Sequence, residues 1–224
     1  MTADEVAFAG GKVYTELTSP YAWYYTNSLG TDFSVELGKG AIWCGADEKM
    51  PDGTPLIVNM PTEEIFTMPH KHQVNGKVVS TKPLSYQGVL IENFYFVFKD
   101  GKVVEAKAEK GQEALDSMLS VDEGSKMLGE VALVPYHSPI SESNILFYNT
   151  LFDENASCHL ALGNAYSMNI KDGTITPEEK LKPLGYNSSL IHVDFMIGTS
   201  DLSIKGILQD GQVIDVFVNG DFAI

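Results

Sequence analysis

A β-hairpin pattern is the sequence feature that most constrains the fold of this chain. Residues 89–98 form a run of apolar, aromatic and β-branched residues, VLIENFYFVF, which is the strongest strand signal in the sequence. Asp100 and Gly101 follow, and polar and apolar residues then alternate over residues 102–108. Because Asp-Gly adopts the tight turn that joins twisted antiparallel strands, this segment predicts a hairpin with a two-residue turn.

The same order of signals recurs near the end of the chain. Residues 202–208 and 212–218 have strand character, and Asp-Gly at positions 210 and 211 lies between them. Asn75 and Gly76 mark a third candidate hairpin turn by the same reasoning. Residues 12–36, rich in β-branched and aromatic residues, predict further strands.

Helical signals are short by comparison. Residues 109–129 predict two short helices and place Leu115, Met118 and Leu119 on one face. The segment 153–166 has room for one helical turn.

A further short helix is predicted over residues 176–181, with Thr176 as its N-cap and Pro177 at its first helical position. Together with the hairpins, these signals predict an α+β fold: a β-rich domain with antiparallel hairpins and a few short helices.

The composition limits the classes of partner. The chain has 224 residues, of which 44% are hydrophobic, and a formal net charge of −15. Nucleic acid and anionic membrane surfaces require a basic face, so neither is an expected partner. The negative charge suits divalent cations and cationic groups such as a free α-amine.

The cellular location is predicted from the ends of the chain and from the cysteines. The N-terminus lacks a basic segment followed by an apolar run, and no apolar run approaches the length of a transmembrane helix. Two cysteines, Cys44 and Cys158, are too few for a disulfide framework and are expected as reduced thiols. These features predict a soluble, cytoplasmic protein.

His192 and Asp194 are the first candidates for chemistry. They lie two residues apart in the apolar strand pattern LIHVDFMIG, so both side chains project from the same face of the strand. Burying a histidine and an aspartate unpaired is unfavourable. Either a metal ion or a structural His–Asp hydrogen bond would satisfy both side chains, and the motif alone leaves both open.

Three acidic residues are weaker candidates. Glu63 and Glu64 are adjacent in NMPTEEIFT, and only one of two neighbours on an extended chain points inward. Glu130 opens the strand pattern EVALVPY. Each has an alternative interpretation as an exposed acid.

The other histidines differ in their surroundings. Cys158 precedes His159, but neighbouring side chains diverge, so a Cys–His dyad is disfavoured; Cys158 is interpreted as a small buried residue and His159 as a candidate ligand. His70 and His72 could hold a metal ion from one face of a strand, but turn-forming residues surround them and favour a solvated loop, which is also predicted for His137.

Taken together, several segments resemble the thermophilic aminopeptidase family of two-metal metallopeptidases, the group of aminopeptidase T, aminopeptidase S and PepS. The matching segments keep both wording and order: NMPTEEIFTMP (59–69), STKPLSYQG (80–88), LGEVALVPYHSPIS (128–141), FYNTLFDENASCHLALGNAY (147–166), HVDFMIG (192–198) and VFVNGDFAI (216–224).

The resemblance implies roles for particular residues. The metal ligands of the family fall on Glu64, Glu130, His159, His192 and Asp194, and its active-site tyrosine falls on Tyr166. It also implies two divalent metal ions (zinc, cobalt or manganese) that activate a water molecule, with peptides bearing a free N-terminus as substrates.

We expect Glu130 to bridge the ions, with Glu64 and Asp194 on one ion and His159 and His192 on the other. Glu63 is a candidate general base.

The resemblance also implies a domain organisation. Residues 30–224 would be the metal-binding catalytic domain, preceded by a segment of uncertain structure at residues 1–29. Family members carry a further N-terminal α/β domain, which this sequence is expected to lack, and they form homodimers.

Two other interpretations remain open. The first is a non-catalytic module with an incomplete metal site, which predicts bound metal without turnover. The second is a thiol hydrolase using Cys158, which predicts inactivation by iodoacetamide but not by chelators.

Overall fold

The computed structural model describes residues 20–45, 47–50, 52–57, 60 and 62–224. Strands dominate this part of the chain, which confirms the predicted β-rich α+β fold. The strands are β1 Ala22–Thr26, β2 Asp32–Leu37, β3 Cys44–Gly45, β4 Asp47–Lys49, β5 Pro55–Ile57, β6 Ile65–Thr67, β7 Pro69–Val79, β8 Leu84–Tyr86, β9 Val89–Lys99, β10 Lys102–Lys110, β11 Leu128–Leu133, β12 His159–Gly163, β13 His192–Met196, β14 Ser203–Ile207, β15 Val213–Val218 and β16 Asp221–Phe222.

The helices are short. The α-helices are α1 Gln112–Leu119, α2 Pro139–Ser143, α3 Thr150–Asp153 and α4 Glu178–Leu181. The 3₁₀ turns are Gly124–Lys126, Glu154–Ala156, Ser167–Asn169, Gly173–Ile175 and Lys182–Leu184.

Two antiparallel sheets organise the described residues. The larger sheet has the order β10-β9-β7-β2-β1-β14-β15-β16, with β8 pairing to β9. The smaller sheet has the order β13-β12-β11-β6-β3, and β4 pairs with β5 apart from both. The three strands at one end of the smaller sheet, β11, β12 and β13, carry most of the candidate site.

Both predicted Asp-Gly hairpins are confirmed. Strands β9 and β10 pair from Lys99 and Lys102 outward. Asp100 and Gly101 both have positive φ, as the tight turn requires. Strands β14 and β15 also form a hairpin, in which Ile207 pairs with Val213, but its loop is longer: the N–H of Leu208 bonds to the carbonyl oxygen of Gln212 across residues 209–211.

The third predicted hairpin, at Asn75 and Gly76, is wrong. Both residues lie inside the long strand β7, where Gly76 pairs with Phe33 of β2. A Cβ atom on Gly76 would lie 2.3 Å from the carbonyl oxygen of Asp32, and its φ is +115°. This glycine therefore allows a close approach between two strands rather than a turn.

The central helical region is confirmed in part. Helix α1 buries Leu115, Met118 and Leu119, as the pattern predicted. The second of the two expected helices is only the 3₁₀ turn Gly124–Lys126. A single turn suffices here because the chain enters β11 two residues later.

The predicted N-cap at Thr176 is also wrong, although the helix is present. Helix α4 begins at Glu178, after Pro177, and no side chain caps it. The Thr176 hydroxyl instead donates a hydrogen bond to the carbonyl oxygen of Asp172, at 2.7 Å. The Thr176 side chain is therefore bonded to the preceding 3₁₀ turn and does not cap helix α4.

The hydrophobic core fills the space between the sheets. Phe94 and Phe96 of β9 meet Phe195 of β13, with ring centroids 6.0 and 5.0 Å apart. Strand β13 therefore has two functions: Val193 and Phe195 join this core, and the intervening residues face the other way.

Strand β1 lies within the segment 1–29 and pairs with both β2 and β14. The boundary at residue 30 stays a prediction, and residues 12–19 of the predicted strand region fall outside the described residues. Within the described ranges, no helix is long and apolar enough to cross a membrane.

Candidate metal centre

Neighbouring strands bring the candidate ligands together. Glu130 on β11 pairs with Ala161 on β12, and Ala161 pairs with Asp194 on β13, so these residues form one row across the sheet. His159, at the start of β12, lies on the same face as Ala161. Glu64 immediately precedes β6, which pairs with β11. The sheet thus gathers residues from four separate segments.

A β-bulge aims Glu130 into this row. The register of β11 against β12 shifts between Leu128 and Glu130, around Gly129. A Cβ atom on Gly129 would lie 2.4 Å from the carbonyl oxygen of Gly163, so the bulge depends on this glycine. Bulges re-aim side chains in this way beside functional sites.

The five side chains form two overlapping groups among the described residues: Glu64, Glu130 and His159, and Glu130, His192 and Asp194. Within each group the possible ligand atoms lie within 4.8 Å of one another. Glu130 belongs to both groups, and its Oε1 faces His159 whereas its Oε2 faces His192.

The distances divide the cluster in the same way. His159 Nε2 lies 3.3 Å from Glu64 Oε1 and 3.5 Å from Glu130 Oε1. His192 Nε2 lies 3.3 Å from Asp194 Oδ1 and 3.6 Å from Glu130 Oε2. Each histidine is therefore grouped with Glu130 and with one further carboxylate. The prediction instead places both histidines on one ion and Glu64 and Asp194 on the other.

The donor atoms are buried and unsatisfied. Within the described part of the chain, Glu130 Oε2, His159 Nε2 and Asp194 Oδ1 have no hydrogen-bond partner. The separations of 3.3–3.6 Å between imidazole nitrogens and carboxylate oxygens in the cluster exceed the roughly 2.7–2.9 Å of a charge-assisted N–H···O⁻ bond. Buried polar atoms that lack partners are unfavourable, and imidazole and carboxylate donors at this spacing suit divalent transition metals. The residues present therefore fit metal ions.

Backbone carbonyls orient both imidazoles. His159 Nδ1 lies 3.0 Å from the carbonyl oxygen of Ser157, and His192 Nδ1 lies 2.7 Å from that of Asn164. A carbonyl accepts only from N–H, so each Nδ1 carries a proton and each ring directs its Nε2 toward the cluster, where the neutral form would offer a lone pair to a metal ion. This is the usual outer-shell arrangement of metal-binding histidines.

Glu154 joins the cluster although the sequence did not single it out. Its carboxyl group forms a hydrogen bond with Asp194, and burial together with the charges of Asp194 and Glu64 raises its pKa to about 9. The residue lies five positions before His159, inside a segment that carries the family resemblance. That position was the only sequence signal for Glu154. The sequence does not show whether an acidic side chain in a helical turn points toward the site or toward solvent.

The charges of the cluster perturb one another strongly. Burial alone would lower the pKa of His192, but Asp194 raises it to about 9. Burial likewise opposes the charged form of His159, and Glu130 and Glu64 raise its pKa well above the ordinary value. Burial raises the pKa of Glu130. Added positive charge would relieve the repulsion among the carboxylates.

Tyr166 lies at the edge of the cluster. Its ring centroid is 4.5 Å from that of His192 and 6.4 Å from that of Phe66, which it meets edge to face. Burial and the nearby carboxylates raise the pKa of Tyr166, so its hydroxyl stays protonated and can donate a hydrogen bond. Glu63 is half-buried and belongs to neither ligand group, so its role as a base stays a prediction.

The remaining histidines lie elsewhere. His70 and His72 belong to strand β7, so the predicted solvated loop is wrong there; the Asn-Gly signal that suggested it marks a strand contact instead. His137 lies in a turn, as predicted, and its Nδ1 pairs with Asp221 at 2.5 Å. Neither group is a member of the ligand cluster.

Iodoacetamide is expected to leave Cys158 unmodified in the folded protein. The residue is buried, its thiol donates to the carbonyl oxygen of Val134, and burial raises its pKa to about 12. The reactive species is the thiolate, which is scarce under these conditions. Peptide mapping by mass spectrometry should detect alkylation of Cys158 only when urea unfolds the protein. Modification of the native protein with loss of hydrolysis would support the thiol mechanism.

The family model described as "Thermophilic metalloprotease (M29)" matches residues 13–222. The chain belongs to this family. Aminopeptidase AmpS of Bacillus subtilis is 53% identical over 203 residues, which cover 91% of this chain and 50% of AmpS. This M29 chain thus spans about half the length of the curated relatives that it matches.

One solved structure agrees with the family. Wild-type AmpT from Thermus thermophilus has a TM-score of 0.88 and 37% identity, over 99% of this chain and 53% of AmpT. A dioxygenase from Pseudomonas putida has a TM-score of 0.61 at 16% identity, over 94% of this chain and 57% of that protein. The second likeness concerns the fold alone, so the M29 assignment rests on the closer sequences.

Proposed function

We propose that this chain is the metal-binding catalytic part of a metal-dependent aminopeptidase, which releases N-terminal amino acids from peptides. The observation that carries the proposal is the pair of ligand groups that share Glu130. Membership of the M29 family and the names of the relatives support the reaction class.

The proposed cofactors are two divalent metal ions, with zinc, cobalt and manganese as candidates. Glu64 and His159 would hold one ion, and His192 and Asp194 the other, with Glu130 bridging them. The two oxygens of a bridging carboxylate suit this position, and those of Glu130 face different histidines. Glu154 is a further candidate ligand because its carboxyl group bonds to Asp194.

Two bound divalent ions would lower the pKa of a water molecule toward neutrality and polarise the scissile carbonyl. Glu63 would accept the proton released from this water and pass it to the leaving amine. Glu154 would share this role only where bound cations lower its raised pKa. Tyr166 would donate its hydroxyl proton in a hydrogen bond to the developing oxyanion. The carboxylates of the cluster would attract the cationic α-amine of the substrate.

The remaining parts of the proposal follow from the family resemblance and the composition. Residues 30–224 are proposed as the catalytic domain and residues 1–29 as an N-terminal segment. We propose a homodimer in the cytoplasm, with peptides bearing a free N-terminus as substrates and with neither nucleic acid nor membranes as partners.

Elemental analysis of the purified chain, paired with hydrolysis of an aminoacyl chromogenic amide, tests the proposed function. We expect about two metal ions per chain and turnover that cobalt or zinc supports and a chelator abolishes. Metal without turnover would favour the non-catalytic module. A folded chain with neither metal nor turnover would contradict the metal centre itself.

Tyr166→Phe is expected to lower kcat without changing the metal content. Removing one oxyanion donor typically costs about 10²–10³ in kcat, because the lost hydrogen bond forms mainly in the transition state. Steady-state kinetics and elemental analysis of the same sample separate the two effects. An unchanged kcat would remove Tyr166 from the mechanism.

A further inference from the structure

Exposed apolar side chains are concentrated in the segment before the 3₁₀ turn of Glu154. We call this surface the apolar ridge, and its members are Ile145, Tyr148, Leu151 and Phe152. Water-exposed apolar groups that lie close together commonly mark a site that contacts another molecule.

The ridge has a preformed shape. The buried carboxylate of Asp153 accepts hydrogen bonds from the backbone N–H groups of Phe147, at 2.7 Å, and Asn149, at 3.0 Å. The rings of Phe147 and Phe152 meet edge to face, with centroids 5.9 Å apart. A surface held in this way loses little conformational entropy when a ligand binds.

Helical geometry connects the ridge to the metal centre. Helix α3 continues into the 3₁₀ turn Glu154–Ala156, and the N–H of Glu154 bonds to the carbonyl oxygen of Thr150. Leu151 precedes Glu154 by three residues, so their side chains are neighbours, with Cβ atoms about 5–6 Å apart. Because the Glu154 carboxyl group bonds to Asp194, Leu151 stands at the border of the ligand cluster.

The chemistry of the two surfaces is complementary to one end of a peptide. The acidic ligand cluster suits the α-amine and the scissile carbonyl of a peptide. The side chain of the peptide's N-terminal residue needs a separate surface, and the apolar ridge suits an apolar one. We propose that Leu151 lines the subsite for the side chain of the N-terminal residue, so that peptides with an apolar N-terminal residue are preferred. This inference rests on the proposed function.

Binding of amino-acid hydroxamates tests the subsite without requiring turnover. These probes carry a free α-amine and a metal-chelating group, and calorimetry on the metal-loaded chain gives the ratio of Kd values for the glycine and leucine compounds. We expect the wild-type chain to favour leucine hydroxamate about tenfold and Leu151→Ala to reduce this preference to about twofold. Leu151→Met should restore it, because methionine keeps the apolar contact.

Two other variants locate the effect. Val104 on β10 is as exposed as Leu151, both at 59%, and Val104→Ala should leave the ratio unchanged. Leu190 is also exposed and lies two residues before His192. If Leu190→Ala removes the preference and Leu151→Ala does not, the subsite lies beside His192 and the inference is wrong.

The remaining outcomes are equally decisive. A wild-type chain without side-chain preference, or one that binds neither hydroxamate, overturns the subsite. A changed oligomeric state in Leu151→Ala with an unchanged ratio assigns the ridge to contacts between chains instead. A metal-loaded chain that shows the preference but hydrolyses no amide supports the subsite while contradicting the proposed function.

Discussion

Glu130→Gln is expected to lower metal affinity by at least about 100-fold and to abolish hydrolysis with it. Even outer-shell changes cost about 10–100-fold in metal affinity, and Glu130 belongs to both ligand groups. The amide keeps the shape of the side chain but removes the negative charge that two cations would share. Elemental analysis after dialysis, together with the circular dichroism of the same sample, measures the effect and the fold.

A matched change elsewhere provides the control. Glu105 is exposed on strand β10, where it accepts a hydrogen bond from the Tyr95 hydroxyl at 2.6 Å. Glu105→Gln should keep the metal content and the turnover of the wild-type chain. If Glu130→Gln also kept both, the bridging position would have to belong to another carboxylate.

Phe195→Ala is expected to lower the free energy of unfolding by about 3–5 kcal/mol. The ring is buried between the sheets and contacts Phe94 and Phe96, so its removal leaves a cavity that close-packed neighbours cannot fill. Urea denaturation monitored by fluorescence gives the change in the free energy of unfolding.

The same substitution at an exposed ring tests whether burial is the cause. Phe152 is 38% exposed on the apolar ridge, and Phe152→Ala should destabilise the protein far less than Phe195→Ala. Equal losses from the two variants would mean that the contacts between β9 and β13 contribute little to stability.

The hairpins were predictable because their turns are local. Asp100 and Gly101 define a turn through their own backbone preferences, so no distant residue was needed to interpret them. Gly76 was misinterpreted because a glycine also occurs where another strand approaches, and only the pairing of β7 with β2 distinguishes these uses.

The candidate site was predictable only in part for a related reason. The period of a strand places His192 and Asp194 on one face, and the structure confirms that their side chains meet. The positions of Glu64 and Glu130 depend on strand pairings and on a bulge, which no local pattern encodes. The sequence pattern made Glu64 and Glu130 only weak candidates, and the family resemblance assigned them as ligands. Glu154 was missed by both routes.

The two-sided strand β13 also has a consequence for folding. Ala161 pairs with Asp194 and Leu160 with Phe195, so a slip of one residue would exchange the two faces of the strand. The slipped chain would bury ionisable groups among phenylalanines and lose the cation ligands at the same time. Ions that bind only the correct alignment would stabilise it in proportion to their concentration. Metal present during folding would therefore select against misaligned chains before any catalysis takes place.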